Sequence, residues 1–402
     1  MKRAKDVTFV IKLMHGGGAE RVVSVLTHAL AEKGYTVRLI LTHQSVRDAW
    51  LQGVDERVTV YSVEDDIKGR ESSGLAAAWR MATVRLRSKC SRLFLKKESD
   101  QALIAKYALH NDLKVRALRR YFKQHADGSV IAFLNDSMFL TLLAAKGLGN
   151  RVILSEREDP SQHLASKTLL AFINKAYPTA DGMVFQSPDA KSWYDRHIKV
   201  NGRVIFNPVK ADLPQAFEGG RKRTVVNFCR ISAQKNLVLL LDAFEKFQLD
   251  YADYELYIYG DADEGGSAYL EMVKNRINAM ARPDAVHLLP ARRDIHDVIR
   301  DAGMFVSSSD FEGMSNSMLE AMAMGIPTVC TDCPAGGARA IIRDHENGLL
   351  TPVGDADALC RAMKEVAGSF ELASTLSRNA TCLRDELTVD KIVEQWEAML
   401  QG

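Results

Sequence analysis

At 402 residues, with 47% hydrophobic and 26% charged residues, the chain is too long for one ordinary core and too apolar for disorder, so two domains are expected. Six scattered cysteines exclude a disulfide framework, and no apolar run approaches the ~20 residues that a membrane-spanning helix needs. Net charge is only +2, yet residues 1–210 hold 34 Lys+Arg against 21 Asp+Glu and the remainder 19 against 30. Such asymmetry means either an anionic partner for the first half or an accident of surface composition.

The opening MKRAKDVTFVIKLMHGGG starts basic, like a signal peptide, but its apolar run is short, is broken by Lys12 and lacks a cleavage site. It reads as a first strand, and the chain is expected on the cytoplasmic side. Further β-like runs follow at 36–42, 58–63, 129–134, 151–155, 182–186 and 203–206, after the first at 7–14. Amphipathic helices lie between them, as at 19–33, where Val22, Val23, Leu26 and Leu30 share a face, and at 137–146. The second half repeats the scheme, with strands at 224–229, 255–259, 286–289, 304–308, 328–331 and 349–351. Apolar strands alternating with helices predict parallel sheets covered on both faces. The fold expected is α/β, with two Rossmann-like domains whose parallel sheets face a central cleft. The junction falls at Asn207-Pro208-Val209, giving domains 1–208 and 209–402, with the last helix packing back on the first.

Residues 74–97 break the pattern. Leu75, Trp79, Ala82, Leu86, Cys90 and Leu93 fall on one stripe, flanked by Arg85, Lys89, Arg92 and Lys96. From Arg80 to Lys97 there are seven basic residues and no acid. A basic amphipathic helix of this kind suits a membrane surface or lipid phosphates. A solvated helix packed on the sheet, the alternative, normally carries both signs of charge.

Chemistry concentrates in loops that leave strands. After the first strand come Gly16, Gly17 and Gly18, then Ala19-Glu20-Arg21, where glycines allow backbone N–H groups to approach an anion. The spacing is not that of a dinucleotide fingerprint, and Thr42-His43-Gln44 supplies no acidic ribose partner, so this loop alone says only that a phosphate can sit nearby. In the second half, Arg230 and Lys235 follow a strand and precede a helix, a fork and a point charge suited to a diphosphate. Further on, the strand at 304–308 leads through Glu312, Gly313, Met314, Ser315 and Asn316 into a helix at 318–324 that carries Glu320, eight residues beyond Glu312. That spacing lets one carboxylate bind sugar hydroxyls and the other ribose hydroxyls, with phosphates between them at a helix N-terminus.

The stretch SSSDFEGMSNSMLEAMAMGIPTV resembles the E-x7-E signature of family 4 retaining glycosyltransferases with the GT-B fold. FCRISAQKN, DCPAGGARAII and ENGLLTPVGD accompany it in the expected order, and GGGAER and the run Ser155 to Pro160 are similar to bacterial members. One departure is Cys229, where that family places glycine before the arginine. The resemblance implies that Arg230 and Lys235 neutralise the leaving diphosphate, that Glu312 holds the transferred sugar and that Glu320 holds the ribose. Glu312, Arg230 and Lys235 are the catalytic set. Gly16, Gly17, Gly313, Met314, Ser315 and Asn316 join Arg230, Lys235 and Glu320 around the donor, and Glu156, Arg157 and Asp159 are acceptor-side candidates.

The reaction implied is retaining transfer of a hexose or N-acetylhexosamine from a nucleotide diphosphate-sugar, with UDP-sugars preferred. The acceptor is a glycan or polyprenyl-diphosphate-linked glycan in cell-surface polysaccharide assembly, and the enzyme sits peripherally on the inner face of the cytoplasmic membrane, against its anionic surface. No nucleic acid partner and no cofactor are expected. Asp261-Ala262-Asp263 looks like a metal-diphosphate motif, but Arg230 and Lys235 already bring the charge a divalent metal would supply, so metal independence is expected. A nucleotide-sugar epimerase of the same architecture and an inactive sugar-nucleotide-binding subunit remain alternatives. Of the other singled-out residues, Cys330 and Cys333 read as packing cysteines, and His15 and His163 as surface residues more than acceptor ligands.

Overall fold

The computed structural model describes residues 5–15, 17–51, 53–70, 99–160, 166–262 and 267–401. Gly16, His163, Asp263 and the basic segment with Cys90, Arg85, Lys89, Arg92 and Lys96 lie outside them. Among the described residues no helix is long and apolar enough to cross a membrane.

The chain divides into two compact units, residues 1–206 with 392–402, and residues 207–391. The first is built on a seven-stranded sheet: β1 (Asp6–Ile11), β2 (Thr36–Leu41), β3 (Thr59–Ser62), β4 (Ser129–Phe133), β5 (Arg151–Ser155), β6 (Gly182–Phe185) and β7 (Gly202–Val204). All its pairings are parallel, in the order β3-β2-β1-β4-β5-β6-β7. Every residue of β4 and β6 is buried, as expected for strands covered by helices on both faces. Leu118 and Phe122 from the helix Asp112–Gln124, Leu140 from Asn135–Ala145 and Phe172 from Lys167–Lys175 fill one core with these strands.

The closing segment 392–402 belongs to this first unit. Trp396 is 1% exposed and stacks on Phe133 with ring centroids 5.9 Å apart. Lys33 pairs with Glu397 at 2.9 Å, and Arg151 Nε donates to the Met399 carbonyl at 3.1 Å.

The second unit carries six parallel strands: β8 (Thr224–Phe228), β9 (Glu255–Tyr259), β10 (Val286–Leu289), β11 (Met304–Ser307), β12 (Thr328–Thr331) and β13 (Leu349–Thr351), in the order β10-β9-β8-β11-β12-β13. Leu240, Phe244 and Phe247 from the helix Leu237–Phe247 pack with Leu359 and Met363 from Ala356–Gly368 on one core. In both sheets the strand order reverses once, between β1 and β4 and between β8 and β11. Ligands of open parallel sheets bind at the carboxyl ends of strands flanking such a reversal.

All thirteen expected strands are present, but several end earlier than the apolar pattern suggested: β1 at Ile11, β4 at Phe133, β8 at Phe228 and β11 at Ser307. The residues beyond them are loop, not ladder, and Met14 and Ser308 among them are buried. Met14 is fully buried and its N–H donates to Gln44 Oε1 at 2.7 Å, while Leu134 turns at φ 68°. Burial continues past the strand because the carboxyl-edge loops are themselves packed.

Candidate active site

In the second unit the loops after β8 and β11 are tied together by hydrogen bonds. After β8 a single 3₁₀ turn (Ala233–Lys235) ends at Asn236, which adopts φ 42° and caps the next helix by accepting from the Leu239 N–H. Asparagine suits this left-handed position because its short amide bonds locally. Asn236 Nδ2 also donates to Asp310 Oδ1 at 2.7 Å, Ser308 Oγ donates to the Lys235 and Asn236 carbonyls at 3.0 and 2.9 Å, and the Asp310 N–H meets the Gln234 carbonyl at 2.9 Å.

This stitching brings Lys235 Nζ onto Glu312 Oε2, with the two side chains 13% and 17% exposed. Gln234 Nε2 approaches the same oxygen at 3.5 Å. Burial alone would lower the Lys235 pKa, but Glu312 and the Cys229 sulfur outweigh it and hold it above the ordinary lysine value. The ammonium is therefore charged at neutral pH and already has a carboxylate partner. Arg230 is exposed on the same loop. Burial raises Cys229 to about 11 and Cys333 to about 12, so both stay thiols, and Cys330 and Cys333 are free and buried as packing residues.

Gly313, Met314 and Ser315 are buried. Ser315 caps the helix Asn316–Ala323, its Oγ accepting from the Met318 N–H at 3.3 Å, so the helix begins two residues before the apolar pattern indicates. Asn316 Oδ1 accepts from Asn207 Nδ2 at 2.7 Å, which fixes the amide at the helix mouth. Gly337, in the loop after β12, touches the backbone of Gly313: a Cβ there would lie 1.9 Å from the Gly313 carbonyl oxygen. The glycine in DCPAGGARAII thus permits two loops to meet backbone to backbone.

Glu320 is not on an open surface. It is 2% exposed, and its Oε2 accepts from His296 Nε2 at 2.8 Å. His296 comes from the short helix Ile295–Ile299, which follows β10, and sits edge-on to Phe228 with centroids 6.0 Å apart. Sequence reading did not single out this histidine. It lies in no glycine-rich loop, and 24 residues separate it from the carboxylate it meets.

The remaining predicted residues lie in the first unit. Gly17 precedes the helix Gly18–Glu32, and the Glu20 carboxylate folds back over it: a Cβ on Gly17 would lie 2.4 Å from Glu20 Oε2. Glu156, Arg157 and Asp159 are 1%, 8% and 2% exposed. Glu156 accepts from the Tyr194 hydroxyl at 2.5 Å and from the Arg157 and Glu158 N–H groups at 2.9 and 3.1 Å. Arg157 donates from Nε to Ser155 Oγ at 2.8 Å and lies 4.7 Å from the Phe133 ring centroid. Burial brings its pKa down to about 9, although Glu156 opposes the shift.

A second polar cluster sits where the strand order of the first sheet reverses. His43 follows β2, Asp136 opens the helix after β4, and Tyr107 belongs to the helix Asp100–His110. His43 Nε2 lies 3.1 Å from Asp136 Oδ2, Thr42 Oγ1 lies 2.8 Å from His43 Nδ1, and the Tyr107 hydroxyl donates to Asp136 Oδ1. Burial lowers the His43 pKa, helped by Lys114 and Lys12 and resisted by Asp136 and Glu64, so the ring is neutral near pH 7. Burial and Lys12 likewise lower that of Lys114.

The architecture and the stitched loops define a class: two parallel-sheet α/β domains of the GT-B type. The Anabaena protein HepE, solved in complex with UDP-glucose, has this fold, with a TM-score of 0.77, 16% identity and coverage of 98% and 99% of the two chains. Residues 222–369 match the model for glycosyl transferases group 1. An uncharacterized glycosyltransferase of Haemophilus influenzae is 22% identical over 395 residues, covering 98% of each chain. A Campylobacter jejuni enzyme, the GalNAc-alpha-(1->4)-GalNAc-alpha-(1->3)-diNAcBac-PP-undecaprenol alpha-1,4-N-acetyl-D-galactosaminyltransferase, is 21% identical over 395 residues, covering 97% and 96%. Residues 222–369 thus carry a glycosyl transferases group 1 domain, and the relatives that match along the whole chain are glycosyltransferases.

Proposed function

We propose that this enzyme moves a hexose or N-acetylhexosamine from a UDP-sugar, with retention of anomeric configuration, onto a lipid-linked glycan during bacterial surface-polysaccharide assembly. The observation that carries this reading is the meeting of Glu312, Lys235 and the Ser315-capped helix where strand order reverses in the second sheet. Breaking the bond between the anomeric carbon and the diphosphate leaves negative charge on the departing phosphate. Exposed Arg230 and the first N–H groups of the helix Asn316–Ala323 stabilise that charge, and fixed dipoles act without reorganising. Lys235 adds its charge while holding Glu312 in place for the sugar hydroxyls. Glu320 takes the ribose.

The acceptor belongs with the first unit, at the carboxyl ends of β1, β2 and β4. Hydroxyl groups of a sugar suit the mixed donors and acceptors of Asp136, Lys114 and Lys12, and the leaving phosphate takes the acceptor proton. The relatives support a lipid-linked acceptor: the Campylobacter enzyme is named for an undecaprenol-diphosphate glycan. The basic stripe at 74–97 supports reversible binding to an anionic membrane face.

Radiolabelled UDP-GalNAc, UDP-GlcNAc and UDP-Gal, each offered with a lipid extract, test the reading. Label should pass to lipid, and the product's anomeric coupling should match the donor. Isomerised free sugar would indicate the epimerase, and binding without turnover the inactive subunit. Transfer should persist in excess EDTA, because Arg230 and Lys235 replace a divalent cation; loss that Mn²⁺ or Mg²⁺ restores would overturn metal independence.

A further inference from the structure

Glu320 poses a chemical problem. A carboxylate with 2% of its surface exposed is costly to bury unless a donor holds it, and a nucleoside can use it only if it stays ionised and correctly turned. His296 meets both needs. Its Nε2 is 2.8 Å from Glu320 Oε2, its own side chain is 12% exposed, and the ring is set edge-on against Phe228 at the end of β8. The contact links the helix after β10 to the helix after β11, so one histidine joins two carboxyl-edge segments on either side of β8.

We infer that His296 is the positioning residue for donor recognition: it holds the Glu320 carboxylate ionised and oriented, so that Glu320 reads the vicinal hydroxyls of the donor's ribose. A carboxylate offers about four acceptor sites, so imidazole and ribose hydroxyls share it without competing. Phe228 stacking edge-on limits rotation of the ring, which makes the carboxylate's orientation a property of the fold before any donor arrives. The inference rests on the donor-site reading above and extends it to a residue outside the signature motif.

Ribose hydroxyls are the discriminating probe. Binding of UDP and of 2′,3′-dideoxy-UDP to the full chain is measured by calorimetry for wild type, His296→Ala, His296→Gln and Glu320→Gln, with thermal unfolding recorded for each. Wild type should favour UDP over the dideoxy nucleotide by about tenfold or more, as expected for hydrogen bonds to a charged group. His296→Ala should lose about tenfold toward UDP and under twofold toward dideoxy-UDP. His296→Gln, which keeps an N–H donor, should recover most of the loss and also serves if the alanine variant unfolds. Equal weakening of both nucleotides, or an undiminished preference in His296→Ala, would overturn the role of His296 while leaving the donor site standing. A wild type that binds UDP but is indifferent to its hydroxyls would remove the ribose role of Glu320, and this inference with it. A wild type that binds no UDP would instead sink the donor-site reading itself.

Discussion

The two sheets reverse strand order once each, and each reversal carries a polar cluster, yet the two clusters are built differently. In the second unit the groups come from loops directly after β8 and β11, and the central pair, Lys235 and Glu312, is a formal cation against a formal anion. In the first unit they come from the loops after β1 and β2 and from three separate helices, and the central contacts are His43, Asp136 and Tyr107, beside Lys114, whose charge is resisted by burial and by Lys12. A diphosphate is the same in every nucleotide diphosphate-sugar and demands fixed charge at a helix mouth, which short loops provide. An acceptor varies from enzyme to enzyme, and helices that carry single polar residues can vary with it.

That contrast is open to being broken. The largest effect should come from Glu312→Gln, which removes the charge proposed to hold the sugar and the partner of Lys235; transfer should fall about 100-fold or more with the fold intact, since electrostatic groups of this kind are worth about two to three decades. Near-normal turnover would dissolve the distinction between the clusters. Next, Lys235→Ala should lose more than Arg230→Ala, about 100-fold against about tenfold in kcat/KM. Losing the buried partner strands Glu312, whereas Arg230 is exposed and its removal leaves no charge stranded in a buried site. The sequence by itself favours the opposite ranking, because a guanidinium fork grips a diphosphate better than an ammonium does.

Asp136→Asn acts on the first unit alone. It should raise the KM for acceptor by about tenfold and leave UDP affinity unchanged. A matching loss of UDP affinity would contradict the division of labour. The smallest effect expected is from Gly337→Ala. A Cβ 1.9 Å from the Gly313 carbonyl must displace one loop, and severalfold weaker UDP binding should accompany a lowered melting temperature. Weaker binding without any change in melting would show that the loop shifts freely.

How much of this was legible in the sequence follows the same division. Thirteen strands could be placed because parallel strands buried on both faces are near-continuous Val/Ile/Leu runs, and the E-x7-E loop could be read because its parts are contiguous. Strand ends could not. Met14 and Leu134 continue the apolar run although they lie in loops; Met14 is buried outside the ladder, and Leu134 turns at positive φ. Glu320 was placed correctly on its helix, but its burial was not foreseen, because the histidine that makes burial tolerable arrives from another helix. Lys235 appeared as a free cation for the same reason: one sequence shows residue types, not the partner that neutralises them. Glu156, Arg157 and Asp159 drew notice through the resemblance of the run Ser155 to Pro160 to bacterial family members; that all three are buried, with Glu156 on Tyr194 and Arg157 on Ser155 and Phe133, no single sequence could show.

If the second sheet holds the donor, its diphosphate and ribose lie where the strand order reverses. In a crystal of the full chain soaked with UDP, the diphosphate should lie beside Arg230 and the N-terminus of the helix Asn316–Ala323, with the ribose hydroxyls on Glu320 and Glu320 still held by His296. UDP bound at the glycine loop after β1 instead, or with its ribose away from Glu320, would contradict that placement.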